Sequence, residues 1–381
     1  MCGIVGAVAE RNVVPILMEG LRRLEYRGYD SAGIAIRTDD GMVRVRRVGK
    51  VQELQNALDE SPVRGGTGIS HTRWATHGVP NETNAHPHLS SEKIAIVHNG
   101  IIENYEELRN DLKAKGYEFT SDTDTETIAH RIHYNAQQAD DFIGAVRITV
   151  AELEGAYAIA VMNTDSPEQL VIARQGAPAV VGIGIGENFV ASDVAALLPV
   201  TRNFIFLEEG DVALVERKQV TIWNEQGERV EREVRESALD ADAAERGEFR
   251  HYMLKEIYEQ AAAVGRTLDG RIVDGRVLEA SFGPLANDAL DKTKGVHIVA
   301  CGTSFHAGLV ARYWIEALCG LPCTVEIASE YRYRSPVVPE NTLFVTISQS
   351  GETADTLAAL RAAKEAGYIS TLTIPINDLT Q

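Results

Sequence analysis

The chain begins Met1-Cys2-Gly3-Ile4-Val5-Gly6-Ala7-Val8. A methionine followed by a small residue is a normal substrate for N-terminal trimming. Loss of Met1 leaves Cys2 with a thiol and a free α-amine on neighbouring carbons. The amine has a reference pKa of about 7.7–8.0 and the thiol of about 8.5. A nucleophile carrying its own base within one residue is the arrangement that an N-terminal nucleophile needs. The same stretch admits a plainer reading. Ile4 to Ala9 is apolar, and a free cysteine is commonly a small buried hydrophobe at the start of a strand. Residues further along decide between the two.

Bulk properties narrow the classes. A chain of 381 residues is long enough for two or three domains, each with its own core. A net charge of −18 disfavours nucleic acid and anionic membrane surfaces as main partners. Cys2, Cys301, Cys319 and Cys323 are too few and too unevenly spaced for a disulfide framework, and fit a reducing cytoplasm. Cys319 and Cys323 lack the second pair that a structural metal site requires, so they read as buried thiols at one helix end. No basic segment precedes the first apolar run, so no signal peptide is expected. No apolar run is long enough to span a bilayer.

Short β-branched runs dominate the first part. Strands are expected at Val5–Val8, Gly33–Ile36, Val43–Val48, Gly68–His71 and Ile94–His98. A second set covers Ala156–Met162, Leu170–Arg174, Val180–Gly184, Asp211–Val215 and Val220–Trp223. Helices are expected where Val14, Leu17, Met18, Leu21 and Leu24 form a stripe, and at Asn104–Lys115 and Thr125–Tyr134. Many strands with a few helices make an α+β layered domain, residues 1–240. A polar stretch and a long helix, His251–Leu268, form a linker over 241–285. From 286 to 381 the style changes. Continuous apolar strands (Val296–Ala300, Cys323–Ile327, Thr342–Ile347, Thr371–Ile374) alternate with helices (His306–Leu318, Glu352–Ala366), the pattern of a parallel α/β sheet.

Several motifs carry chemistry. Arg73, in His71-Thr72-Arg73-Trp74-Ala75-Thr76-His77-Gly78, offers a planar fork for a carboxylate. At a strand end it is equally a surface arginine. The side chain of Asn99 and the backbone N–H of Gly100, in His98-Asn99-Gly100, can form an oxyanion hole, or an ordinary Asn-Gly turn. Ser121-Asp122-Thr123-Asp124 can cap the following helix, and Asp124 can hold an ammonium. Together these groups match an amino-acid amide: a nucleophile, an oxyanion pair, a carboxylate fork and an ammonium binder. Glutamine has each of the features they would bind. Five histidines between His71 and His98 raise the question of a metal, but their spacing gives no helical pair and no acidic ligand is placed with them. Gly182-Ile183-Gly184-Ile185-Gly186 mimics a dinucleotide fingerprint, yet no helix start follows, so a hairpin or turn is expected. Ser348-Gln349-Ser350-Gly351-Glu352-Thr353, at a strand end feeding a helix, makes an anion pocket, and Thr303-Ser304 forms a second such corner.

The motifs Cys2–Gly6, Arg27–Gly33, His71–Gly78, Asn84–His88, His98–Gly100 and Asp122–Asp124 resemble the glutaminase domain of the glutamine–fructose-6-phosphate aminotransferase family. Ser348–Thr353 resembles the sugar-phosphate loop of a sugar-isomerase (SIS) domain. The resemblance implies an N-terminal-nucleophile αββα domain followed by an incomplete SIS domain. It implies Cys2, Asn99 and Gly100 as catalytic residues, and Arg73, Trp74, Thr76, His77, His86 and Asp124 around glutamine, with Trp74 gating ammonia. Thr303, Ser304, Ser348, Gln349, Ser350 and Thr353 would then meet the sugar phosphate. The implied reaction hydrolyses L-glutamine and delivers ammonia to fructose 6-phosphate, giving glucosamine 6-phosphate, without metal or organic cofactor. The family's full-length members carry a second SIS domain and form homodimers. A chain truncated at Gln381 is therefore expected to keep mainly the glutaminase half, alone or as one half of a split enzyme. A non-enzymatic sugar-phosphate-binding regulator is the alternative from another class. An amidotransferase of nucleotide or asparagine synthesis would need downstream motifs that are not seen.

Overall fold

The computed structural model describes residues 2–25, 28–75, 78–237, 249, 251–268, 272–273, 275–277, 286–337, 339–348, 353–366 and 370–375. They fall into two compact units, residues 1–245 and 246–381.

In the first unit the elements run β1 (Gly3–Val8), α1 (Val14–Arg23), β2 (Ser31–Thr38), β3 (Gly41–Val48), α2 (Val51–Glu60), β4 (Thr67–Arg73), β5 (His88–Ser90) and β6 (Ile94–Ile102). They continue with α3 (Tyr105–Ala114), α4 (Asp124–Asn135), α5 (Phe142–Val150), β7 (Gly155–Asn163), β8 (Gln169–Gln175), β9 (Val180–Ile183) and β10 (Asn188–Ala191). The last are β11 (Asn203–Phe206), β12 (Val212–Glu216), β13 (Val220–Trp223), β14 (Arg229–Val230) and β15 (Val234–Glu236). Two antiparallel sheets result, ordered β15-β11-β9-β10-β1-β4-β2-β3 and β14-β13-β12-β8-β7-β6-β5.

Strand alternation explains the layering. Ile4 and Val8 of β1 face Ala95 and Val97 of β6 and Ala158 and Ala160 of β7 across the gap between the sheets. Val5 and Ala7 face the other way, onto Leu17 and Leu21 of α1 and Leu54 of α2. On the far side Ile94 and Ile96 meet Ile128 and Ile132 of α4 and Val146 of α5. The order is helix, sheet, sheet, helix, the αββα arrangement. Small residues let the sheets close: a Cβ on Gly6 would lie 2.6 Å from a methyl of Val190. The glycine-rich stretch at 182–186 is a hairpin, with Ile183 of β9 opposite Asn188 of β10.

The second unit contains α6 (Tyr252–Leu268), a small pair β16 (Ile272–Val273) and β17 (Arg276–Val277), α7 (Ala286–Lys292), β18 (Gly295–Ala300), α8 (Gly302–Trp314), β19 (Cys323–Ile327), α9 (Ala328–Tyr331), β20 (Thr342–Ser348), α10 (Ala354–Glu365) and β21 (Ser370–Pro375). Its sheet is ordered β19-β18-β20-β21 and its pairings are parallel. Helix α8 packs on the Ile298 face through Phe305 and Ala311. Helix α10 packs on the Val299 and Phe344 face through Ala359 and Ala363.

One expectation fails here. Cys319 and Cys323 are not both buried at a helix end. Cys319 is exposed in the π-helical turn after α8, and Cys323 is buried as the first residue of β19. The turn Gly320-Leu321-Pro322 parts them, and only Cys323 lies on a strand facing the core.

Gly33 of β2 has no room for a side chain. A Cβ there would lie 2.1 Å from the carbonyl oxygen of His86. Gly33→Ala is expected to destabilise the first unit by about 2–3 kcal/mol. Thermal unfolding of the purified chain checks this: the melting temperature should fall by roughly 5 °C or more, and an unchanged value would contradict the packing.

Candidate active site

Cys2 stands at the threshold of β1. Gly3 pairs with Thr72 of β4, so the strand register carries Cys2 to the end of β4, beside Arg73 and Trp74. The backbone N–H of Trp74 donates to Cys2 Sγ at 3.2 Å. Asp30 holds this turn from behind. Its carboxylate accepts the Ala75 N–H at 2.5 Å, and its own N–H donates to the carbonyl of Arg73 at 2.7 Å. Gly28, at φ +74°, packs beneath the Trp74 ring, where a Cβ would approach to 3.1 Å. Burial pushes the Cys2 thiol above its ordinary pKa, partly offset by the Trp74 N–H, the amino terminus and Arg73. A nucleophilic role for this thiol would need a proton acceptor close by.

Asn99 and Gly100 come from β6 on the facing sheet. Asn99 Nδ2 donates to the carbonyl of Cys2 at 3.4 Å. Gly100 adopts φ +130°, and a Cβ would sit 2.0 Å from the carbonyl oxygen of Ala156. No other residue fits there, and the bend brings the backbone to the cavity wall. Asp124 opens α4, whose N-cap is Thr123. Asp124 is 3 % exposed, and its Oδ2 accepts the Ile102 N–H at 3.1 Å. Cys2, Arg73, Trp74, His86, Gly100 and Asp124 line one cavity, together with His98, Thr123 and Thr125. The fork of Arg73 and the carboxylate of Asp124 thus share a wall with the thiol, opposite charges for the two ends of a zwitterion. Thr76 and His77 lie outside the described residues, as does Arg27.

A set of buried histidines lies at and behind the cavity wall, of which only His86 was assigned a role from the sequence. His71 and His86 stack with ring centroids 4.2 Å apart, and His88 meets His86 edge-on at 4.9 Å. Thr125 Oγ1 lies 3.0 Å from His98 Nδ1 and 3.2 Å from His86 Nε2, and Thr123 Oγ1 lies 3.1 Å from His88 Nε2. Among the described residues no group of histidine, cysteine and acidic side chains is arranged to hold a metal. Asp30 was also missed; its signal was the position after Tyr29 at the start of a strand, which looks like any turn aspartate.

In the second unit, β18 and β20 are neighbours with Ala300 opposite Ile347. The chain leaves β18 toward β19 on one side, while β20 lies on the other. Strand order therefore switches between them, where open α/β sheets form a crevice. Thr303 and Ser304 lie in the first turn of α8, Ser348 ends β20, and Thr353 is the N-cap of α10. Thr356 Oγ1 approaches Cys301 Sγ at 3.9 Å, so the two corners adjoin. Gln349 and Ser350 lie outside the described residues.

Comparison with known proteins agrees with both units. Residues 71–199 match a glutamine amidotransferase domain family, and residues 289–380 match the SIS domain family. The glutamine–fructose-6-phosphate aminotransferase [isomerizing] of Shewanella oneidensis is 61% identical over 374 residues, covering 98% of this chain and 61% of that protein. Its counterpart in Idiomarina loihiensis is 60% identical over 375 residues, covering 98% and 62%. The chain thus spans about three-fifths of the length of the curated relatives it matches. Among solved structures, glutamine phosphoribosylpyrophosphate amidotransferase from B. subtilis, complexed with ADP and GMP, shares the fold with a TM-score of 0.50. It is 19% identical, over 98% of this chain and 81% of that one. Residues 71–199 and 289–380 thus resemble a glutamine amidotransferase domain and a SIS domain, in that order along the chain. Among the described residues no helix is long and apolar enough to cross a membrane.

Burial holds His71 down to about 3, and holds His86 and His88 well below the ordinary histidine value. Unfolded, each ring takes up a proton near pH 6.5; folded, it does not. Below that pH the unfolded state binds more protons, and stability falls by about 1.4 kcal/mol per pH unit for each ring. Urea unfolding should lose roughly 4 kcal/mol per unit between pH 6 and 5 for the three rings together. Stability that stays flat over that range would contradict a neutral buried cluster.

Proposed function

We propose that this chain carries the glutamine-hydrolysing half-reaction, and a sugar-phosphate corner, of glutamine–fructose-6-phosphate aminotransferase. Convergence of Cys2, Arg73, Gly100 and Asp124 on one cavity is the observation that carries this reading. Removal of Met1 frees the α-amine of Cys2. That amine takes the thiol proton as sulfur attacks the side-chain amide carbon of L-glutamine. Negative charge develops on the amide oxygen, where Asn99 Nδ2 and the Gly100 N–H receive it. The ammonium so formed then protonates the leaving nitrogen. Ammonia departs, a thioester remains on Cys2, and water releases glutamate. Arg73 holds the α-carboxylate and Asp124 the α-ammonium. His86, Thr76 and His77 complete the glutamine pocket, and Trp74 at its mouth gates the ammonia.

Ammonia then aminates fructose 6-phosphate, and isomerisation gives glucosamine 6-phosphate. Thr303, Ser304, Ser348, Gln349, Ser350 and Thr353 take the sugar phosphate, where hydroxyls and the first N–H groups of α8 and α10 suit an anion. The reading carries with it a cytoplasmic homodimer that needs no metal, organic cofactor, nucleic acid or membrane. A sugar-phosphate sensor without activity would use the second unit alone and leave Cys2 a structural residue.

Steady-state release of glutamate from glutamine separates the two. Cys2→Ala should reduce it to background. Arg73→Lys should raise the glutamine KM by about tenfold or more, since an ammonium cannot replace the two-pronged contact. Undiminished turnover by Cys2→Ala would refute the enzyme reading.

A further inference from the structure

Asn99 does not hold its own orientation. It projects from β6 into the gap between the sheets, and His71 projects into the same gap from β4. His71 Nε2 lies 2.9 Å from Asn99 Oδ1. His71 is fully buried, and its ring plane is set by the stack on His86, with an interplanar angle of 19°. On the other side Asn99 Nδ2 points to the carbonyl of Cys2. We propose that His71 is a positioning residue for glutamine hydrolysis, donating its Nε2–H to Asn99 Oδ1 so that Asn99 Nδ2 faces the developing oxyanion. The inference rests on the glutaminase reading above.

The chemistry of the two groups makes the assignment directional. A neutral imidazole has one N–H and one bare nitrogen, and a carboxamide has one acceptor end and one donor end. With the Asn99 donor turned toward Cys2, its acceptor oxygen meets His71, and Nε2 must carry the hydrogen. The opposite tautomer would turn the carboxamide over and present an oxygen to the oxyanion. Burial keeps the ring uncharged, so the single hydrogen acts as a fixed pointer across the sheets. The contacts of Arg73 and Asp124 to the two ends of glutamine would survive loss of this bond. The role is therefore distinct from binding, and shows only when charge appears on the amide oxygen.

Three readouts test it. His71→Gln and His71→Met have similar length, and only glutamine offers a donor near the Nε2 position. His71→Met should lower kcat for glutamate release by about a hundredfold with the glutamine KM within about twofold. His71→Gln should recover at least a tenth of the wild-type kcat. The second readout is L-glutamate γ-semialdehyde. Its aldehyde carbon bonds to Cys2 sulfur, the C=O π bond opens to an alkoxide, and the thiol proton passes to the α-amine. Affinity for it should fall in His71→Met by about the same factor as kcat, while affinity for glutamate stays unchanged. Equal losses for both ligands, or an unaltered kcat in His71→Met, would overturn the proposal. The third needs no variant: the ¹⁵N shifts of His71 in the wild-type protein should report the Nε2–H tautomer, and the Nδ1–H tautomer would overturn it. An inactive wild-type chain would instead refute the glutaminase reading, whereas an active chain with a normal His71→Met variant sinks only the role of His71.

Discussion

The hydrogen-bonded pairing of β1 with β4 is the constraint on which the rest of the first unit depends. It places the second residue of the chain, not some interior residue, at the mouth of the cavity. β1 is held on both sides, by β4 and by β10, and the contact continues beyond the end of β10: Ile4 N–H donates to Ser192 Oγ at 3.0 Å and Ser192 N–H to the Ile4 carbonyl at 3.1 Å. Six buried residues in the middle of a sheet cannot slip by one without sending every side chain to the wrong face. The Cys2 thiol is therefore positioned by backbone register before any side-chain contact is made. A chain terminus ordinarily frays. On the proposed removal of Met1, the new terminus would be held against the end of a core strand, where its amine could serve as a fixed base.

From that anchor the other groups follow as neighbours in the two sheets. Arg73 and Trp74 lie where β4 ends. Asn99 and Gly100 lie toward the end of β6 in the facing sheet, and Asp124 begins the helix that covers β6. The polar interior behind them is unusual for a core, since buried polar groups are costly unless paired. The histidines and threonines offset part of that cost by pairing with one another and with Asn99, while His71 Nδ1 has no hydrogen-bond partner among the described residues. Burial keeps the imidazoles of His71, His86 and His88 neutral, so they can orient neighbouring groups without adding charge near the thiol.

Much of this was legible in the sequence, and the reasons for the gaps are physical. Strands with β-branched residues and clear Gly or Asp breaks, such as Gly68–His71 and Ile94–His98, were found with boundaries within a few residues. Helix α2 was missed although Val51, Leu54, Ala57 and Leu58 carry its period, because it is short and its remaining residues are polar. Helix α5, Phe142–Val150, is rich in β-branched residues, and tertiary packing overrides their strand preference. β5, β14 and β15 are two or three residues long and exist only through their partners. The motif residues Cys2, Arg73, Asn99, Gly100 and Asp124 stood out because each chemical type suits one part of a zwitterionic amide. His71 and Asp30 did not, since a residue that acts by orienting another shows its purpose only once the neighbour is seen.

The central claim is that Cys2, as the mature terminus, is the nucleophile in the cavity that Arg73, Gly100 and Asp124 line. A diazoketone analogue of glutamine, 6-diazo-5-oxo-L-norleucine, alkylates the nucleophile that would attack the amide. Intact-mass and peptide-mapping spectrometry of the treated chain tests the claim most directly. The account predicts one adduct, on Cys2, in a protein lacking Met1, with protection by L-glutamine. Retention of Met1 in the labelled protein, or adducts spread over Cys301, Cys319 and Cys323 with Cys2 untouched, would contradict it.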